Sequence, residues 1–217
     1  MSIKYVVFDW EFLKASKTPV ISAAYDYTFD TLGLPRIPYD EVKRITSTLQ
    51  NKDTLGCIFG ERKQEAADAY YSFIGKHHAA ALEAMPGARS VLEYCRKHNI
   101  TSILITNKKT LYVAEEIEKL GFSEFFDKVI AAGEYAEDKP HPLATHAAFG
   151  GKLPQADEIL VLGDGEADFQ TAATYAHDNR KAFCVIYDPK RKYKGSEPDR
   201  KIDDLRQVIE IIGECND

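Results

Sequence analysis

The chain has 217 residues, 44% of them hydrophobic, enough to bury a sizeable core without metals or disulfides. Its 28 basic and 34 acidic residues leave a formal charge of −6, which excludes a global positive field for gathering phosphate backbones. Four cysteines, Cys57, Cys95, Cys184 and Cys215, show no CxxC spacing, which argues against a zinc site, a thioredoxin-type motif or a disulfide framework and fits reduced thiols. No basic-plus-apolar leader opens the sequence and no apolar run nears the roughly 18 residues of a membrane span. A soluble, cytoplasmic protein is therefore expected. The one basic cluster, Lys190-Arg191-Lys192-Tyr193-Lys194 between Pro189 and Gly195, reads as a solvated loop rather than a nucleic-acid patch.

In chain order, Ile3-Lys4-Tyr5-Val6-Val7-Phe8 is an apolar run of strand length that stops at Asp9-Trp10-Glu11, two acids spaced i, i+2. Ile21, Tyr25, Thr28 or Phe29 and Leu32 then recur at helical spacing up to Gly33, with Pro35 as a stop. A second helix is expected after Pro38 with Val42, Ile45 and Leu49 on one face, then a loop over 51–60. A longer helix follows, whose stripe is Ala66, Ala69, Tyr70, Phe73, Ile74 and His77. Residues 15–84 thus read as all-helical, and Met85-Pro86-Gly87 marks a boundary. Beyond it the pattern alternates: helix 88–98, strand 100–106, helix 111–120 closed by Gly121, strand 128–131, helix 142–149, strand 158–163, helix 167–176, strand 182–187 and a last helix over 202–212. Near-continuous apolar strands between amphipathic helices predict an α/β fold with a Rossmann-like parallel sheet covered on both faces. Because the first strand belongs to that sheet, the expected division is a core of residues 1–14 and 85–217 with a helical insertion at 15–84.

In an open α/β sheet the ligand crevice lies outside the carboxyl ends of the strands. Asp9 then stands where chemistry is done, with turn amides beyond it available to an anion; taken alone, a strand exiting into a polar loop is the better reading, because strand-then-Asp is a common pattern. The strand Ile103-Leu104-Ile105 ends at Thr106-Asn107-Lys108. A hydroxyl followed by a free backbone N–H can grip a phosphate oxygen, although in isolation the pair is better read as the cap of the next helix. In Glu137-Asp138-Lys139-Pro140-His141-Pro142 a lysine directly precedes a proline, where the backbone is held extended; by itself it is a surface lysine. Gly163-Asp164-Gly165-Glu166-Ala167-Asp168 closes an apolar strand with carboxylates at i and i+4. Asp164 falls in the crevice, and Asp168 in a first helical turn where an acid is also favoured by the helix dipole. Two hard oxygen ligands beside Asp9 suit Mg²⁺, which takes one or two carboxylates, keeps waters and bridges to phosphate.

Together these four fragments, in this order and at strand ends, resemble the haloacid dehalogenase superfamily of phosphohydrolases. The likeness is closest to its phosphoglycolate phosphatase-like branch, in which a small α-helical cap is inserted after the first strand. Met85-Pro86-Gly87, Thr106-Asn107-Lys108, Lys139-Pro140-His141-Pro142 and Gly163-Asp164-Gly165-Glu166-Ala167-Asp168 are similar to that branch's recurring phrases, over nearly the entire chain. The resemblance implies a Mg²⁺-dependent phosphatase of small phosphate monoesters. Asp9 would be the nucleophile forming an aspartyl-phosphate, and Glu11 the acid/base and, through its backbone carbonyl, a metal ligand. Thr106, Asn107 and Lys139 would bind the phosphoryl group, with Asp9, Glu11, Asp164 and Asp168 around the metal. The implied partner is a small phosphorylated metabolite, phosphoglycolate on branch likeness alone, with no nucleic acid and no membrane, for a monomer or homodimer. Substrate selection would fall to the cap, through the loop at 54–60 unless that loop is a plain surface connection.

The first motif departs from the family's Asp-x-Asp-Gly-Thr, reading Asp9-Trp10-Glu11-Phe12-Leu13. The second acid is one methylene longer and the Gly-Thr pair is absent, which moves the proton donor and alters the loop that opens the site. The rival reading is a degenerate member that binds phosphate or a protein without turnover. Thr106, Lys139, Asp164 and Asp168 favour the enzyme; the segment after Asp9 favours the rival. A dinucleotide-binding oxidoreductase is opposed by the lack of G-x-G-x-x-G after the first strand, and a dehalogenase by the acid at residue 11.

Overall fold

The opening apolar run forms strand β1 (Tyr5–Phe8), buried along all but its first residue. The computed structural model describes residues 2–16, 20–46, 53–79 and 82–216. A short strand β2 (Lys14–Ser16) follows, then helices α1 (Val20–Thr31), α2 (Tyr39–Thr46), α3 (Thr54–Phe59) and α4 (Lys63–His77), and strand β3 (Leu82–Ala84). From there the chain runs α5 (Ala88–Lys97), β4 (Thr101–Lys109), α6 (Thr110–Lys119), β5 (Lys128–Ala132), α7 (Pro142–Ala147), β6 (Ile159–Gly163), α8 (Glu166–Thr174), β7 (Phe183–Tyr187), β8 (Arg200–Ile202) and α9 (Gln207–Asn216). It divides into two units, Met1–Ala15 with Glu83–Asp217, and Ser16–Leu82. Strands β2 and β3 pair as a two-stranded sheet where the chain passes from one unit to the other.

The first unit is built on a six-stranded sheet of order β5-β4-β1-β6-β7-β8, with every pairing parallel. Side chains alternate between faces with period two. Val6, Phe8, Leu104, Leu160, Leu162 and Val185 join one hydrophobic cluster with Val91, Val113 and Val208 of the covering helices. Val7, Ile103, Ile105, Val161, Cys184 and Ile186 join the other, with Ala144, Ala172 and Tyr175. Burial on both faces is why these strands are apolar throughout rather than alternating. Val7 lies opposite both Ile103 and Val161, so β1 is central. The chain continues to β4 on one side of it and later to β6 on the other, a topological switch point at which three carboxyl ends share one crevice.

Two expectations need correction here. The strand read as 100–106 runs on to Lys109 with a register shift between Ile105 and Lys109. The last helix begins at Gln207, not at residue 202, because Ile202 is in β8 beside Tyr187. Apolar residues at 202, 205, 208 and 211 imitate one continuous helical stripe. The backbone N–H groups of Asp203 and Asp204 instead donate to Gln207 Oε1, at 3.1 Å each, and the helix starts from that turn.

The second unit has its own core of Tyr25, Phe29, Leu32, Val42, Leu55, Phe59 and Ala66. Helix α1 ends as expected before Gly33, which takes a φ of +64° that a side chain resists. Of the stripe expected on the second helix, Leu49 lies outside the described residues. The expected loop at 54–60 is helical: Asp53 caps α3 by accepting the Gly56 N–H at 2.9 Å, and Leu55 and Phe59, one turn apart, are buried. A capping aspartate and two buried apolar residues outweigh the one glycine inside this helix, Gly56, which costs about 1 kcal/mol. Among the described residues no helix is long and apolar enough to cross a membrane.

Candidate active site

At the carboxyl end of β1, Asp9 is buried, and its Oδ2 accepts the N–H of Glu11 at 2.9 Å. Its Oδ1 accepts from the Lys139 ammonium. Lys139, equally buried, also donates to Asp168 Oδ1 at 2.7 Å. The second Asp168 oxygen takes the N–H groups of Asp164 and Gly165, at 3.1 and 3.0 Å, which fixes it across the first turn of α8. This packing requires glycine at 163, where a Cβ would lie 2.0 Å from the Asp168 carboxyl carbon. Asp164 is more exposed, at the crevice mouth, and Asp9, Asp164 and Asp168 each offer an oxygen within 4.8 Å of the others.

The charge balance of this cluster is unfavourable as it stands. Three carboxylates face one buried ammonium. Burial and the neighbouring Asp168 push Asp9 above the usual carboxylate range against the pull of Lys139. Partial desolvation, with Asp9 and Asp168 alongside, pushes Asp164 up to about 6. Burial alone would lower Lys139, but Asp9 and Asp168 raise it, so it is held charged. A surplus of hard, converging oxygens that one lysine does not neutralise suits a divalent cation such as Mg²⁺.

The residues after Asp9 form a turn in which Leu13 N–H reaches Trp10 O at 3.0 Å. Trp10, Phe12 and Leu13 enter the core, where the Trp10 ring meets Phe122 and Phe126 edge-on. This apolar anchoring stands where the family has a Gly-Thr pair. The Trp10 indole N–H donates to Glu116 Oε2 at 2.6 Å, and Glu116, fully buried on α6, accepts from Lys108 at 2.7 Å. Glu11 is turned outward, half-exposed, with Lys14 at 2.8 Å and Lys108 at 3.5 Å. Its carboxylate is therefore not among the three converging oxygens. Glu116, and its pairing with the Lys108 side chain, escaped the sequence reading. The available signal was an acid at the apolar face of a helix, between Val113 and Ile117.

Thr106 is buried at the crevice. Its Oγ1 accepts the Lys108 N–H at 3.2 Å, leaving the hydroxyl proton to donate elsewhere. Asn107 uses its side-chain amide to hold the Lys139 carbonyl at 2.9 Å, so it braces the lysine's backbone. The structure thus brings Asp9, Lys139, Asp164 and Asp168 into one cluster and leaves Glu11 at its rim.

Residues 6–177 match the family model described as haloacid dehalogenase-like hydrolase. The chain is 25% identical to the phosphoglycolate phosphatase of Vibrio parahaemolyticus, over 97% of this chain and 96% of that one. It is 23% identical to pyrophosphatase PpaX of Oceanobacillus iheyensis, over 99% of each. Its fold superposes on the crystal structure of a predicted phosphoglycolate phosphatase from Haemophilus somnus with a TM-score of 0.77, at 18% identity, covering 96% and 97% of the two chains. With a family model spanning most of its length and a crevice of converging acids at the ends of β1 and β6, the chain belongs to the haloacid dehalogenase-like hydrolases.

Proposed function

We propose that the protein hydrolyses a small phosphate monoester, using Asp9 as nucleophile and Mg²⁺ as cofactor. The observation that carries this reading is the convergence of Asp9, Lys139, Asp164 and Asp168 at adjoining strand ends. The Asp9 carboxylate attacks phosphorus, forming an acyl-phosphate bond as the bond to the ester oxygen breaks. Glu11 gives a proton to the departing oxygen and then takes one from the water that cleaves the aspartyl-phosphate. Thr106, through its hydroxyl proton, and Lys139, through its charge, hold the phosphoryl oxygens, and Asn107 keeps Lys139 in place. The register shift in β4 between Ile105 and Lys109 supports this role, since backbone there is released from the ladder. Asp9, Asp164 and Asp168, with the backbone carbonyl of Glu11, would hold Mg²⁺, which would supply positive charge against the negative charge of the phosphoryl oxygens. The helical unit Ser16–Leu82 is read as the cap of the branch. The nearest substrate guide is the phosphoglycolate named for the relatives.

Purified protein offered a panel of phosphate esters should release phosphate only with Mg²⁺ present, and Asp9→Asn should be folded and inactive. Substantial turnover by Asp9→Asn, or undiminished turnover in EDTA, overturns the mechanism. A wild type inert on every ester would move the assignment to the binding-protein rival.

A further inference from the structure

The basic stretch after β7, set aside in the sequence as a solvated loop, lies against the site. An open cleft of about 560 Å³ is lined by the acids Glu11, Asp164, Glu166 and Asp188 and by Lys190, Lys192 and Lys194. The loop is braced rather than loose. Asp188 accepts the N–H groups of Lys192 and Tyr193 at 2.7 and 2.9 Å. Glu166 accepts the Tyr193 hydroxyl at 2.9 Å and both the N–H and the hydroxyl of Ser196 at 2.8 Å.

These bonds occupy Asp188 and Glu166 with the loop's own backbone and hydroxyls. Among the described residues no carboxylate forms an ion pair with Lys190, Lys192 or Lys194, whereas Lys4, Lys14, Lys139, Lys181 and Lys201 all have one. Three exposed ammonium groups at alternate positions of a short loop repel one another, and the first anion to enter the cleft relieves that repulsion. The cleft's volume suits a small metabolite rather than a polymer.

We infer that Lys190, Lys192 and Lys194 form a second anion subsite, which selects phosphate esters carrying another negative group, a carboxylate or a second phosphate, on the part that does not react. The inference rests on Asp9 and its neighbours being the phosphoryl site. It assigns the loop after β7 a share of substrate choice within the sheet unit itself.

The test is calorimetric titration in Mg²⁺ of the Asp9→Asn protein, with and without Lys190→Gln, Lys192→Gln and Lys194→Gln together. Three probes are used: phosphoglycolate with a carboxylate tail, pyrophosphate with a phosphate tail, and p-nitrophenyl phosphate with an uncharged one. Removing the lysines should raise Kd for the first two about tenfold, the combined effect of three exposed and salt-screened pairs, and change the third by less than twofold. Whichever anionic probe loses more identifies the tail. Equal losses for all three probes, no loss for any, or no binding of any ester overturns the subsite. Wild-type protein that fails to turn over these esters while the binding pattern holds would instead overturn the phosphatase reading and leave the subsite standing.

Discussion

Burial, with Asp9 and Asp168 alongside, holds Asp164 well above an ordinary aspartate, at about 6, and the sign of that displacement has consequences for stability. The folded protein binds this proton more tightly than the unfolded chain does, so the charged carboxylate is penalised above pH 6 and the penalty fades as pH falls toward 4. In EDTA at pH 7.5, Asp164→Asn should therefore be more stable than wild type by about 1 kcal/mol, allowing for screening at an exposed carboxyl. The two melting curves should converge on acidification, and a less stable variant at pH 7.5 would refute the charge-crowding account. The same substitution should weaken Mg²⁺ at least tenfold by calorimetry, a trade of stability for function. Glu11 makes a second case. Lys14 and Lys108 fix its carboxylate at the cleft's rim, so Glu11→Gln should lower kcat by roughly 10²–10⁴. Glu11→Asp, too short to keep both lysines and reach the ester oxygen, should fall between; rates equal to wild type for Glu11→Gln would remove it from the chemistry. At this scale the sequence was informative where an acid or lysine ends an apolar run, as at Asp9, Asp164 and Lys139. It was silent on the Glu116–Trp10 bond, whose partners lie 106 residues apart and meet only after the sheet has formed.

Helix α6 joins β4 and the turn after β1 through one side chain. Glu116 takes both the Trp10 N–H and the Lys108 ammonium, and the lysine in turn meets Glu11. Glu116→Leu should leave a buried indole N–H without this acceptor and Lys108 without its buried counter-charge, at a cost of about 3 kcal/mol. For a chain of this length that is about 6–12 °C in Tm, read from thermal melts. A variant melting within about 2 °C of wild type would show that the helix is held by Val113 and Ile117 alone. Long elements were legible because their apolar periods are long: β1, β6, α1, α4 and α5 all appear where the pattern puts them. Short ones were not. Strands β2, β3 and β8 have three residues each, too few for a period, and α3, at six residues, is too short for a helical stripe.

The parallel sheet and the helical insertion follow from one contrast along the chain, helical periods only and then strand-helix alternation, and this is why the architecture could be read before any contact was known. The candidate metal ligands all belong to the unit Met1–Ala15 with Glu83–Asp217. Saturating Mg²⁺ at about 100 times Kd should stabilise the folded state of that unit by about 2.7 kcal/mol. Hydrogen exchange should accordingly slow in β1, β6 and α8 and remain unchanged in α1 and α4; uniform slowing across both units would count against a site confined to the sheet.

Trp10 is the chain's single tryptophan, fully buried and bonded to the residue proposed as nucleophile. The tryptophan fluorescence therefore comes from one place, the turn at the carboxyl end of β1. Burial against Phe122 and Phe126 sets a blue-shifted emission, and the indole N–H on Glu116 makes that emission sensitive to the charge around Lys108 and Glu11. The unlabelled protein carries its own optical probe beside the crevice, and excitation at the red edge, beyond the absorption of its 12 tyrosines, should let cation or ester binding be followed through Trp10 in real time.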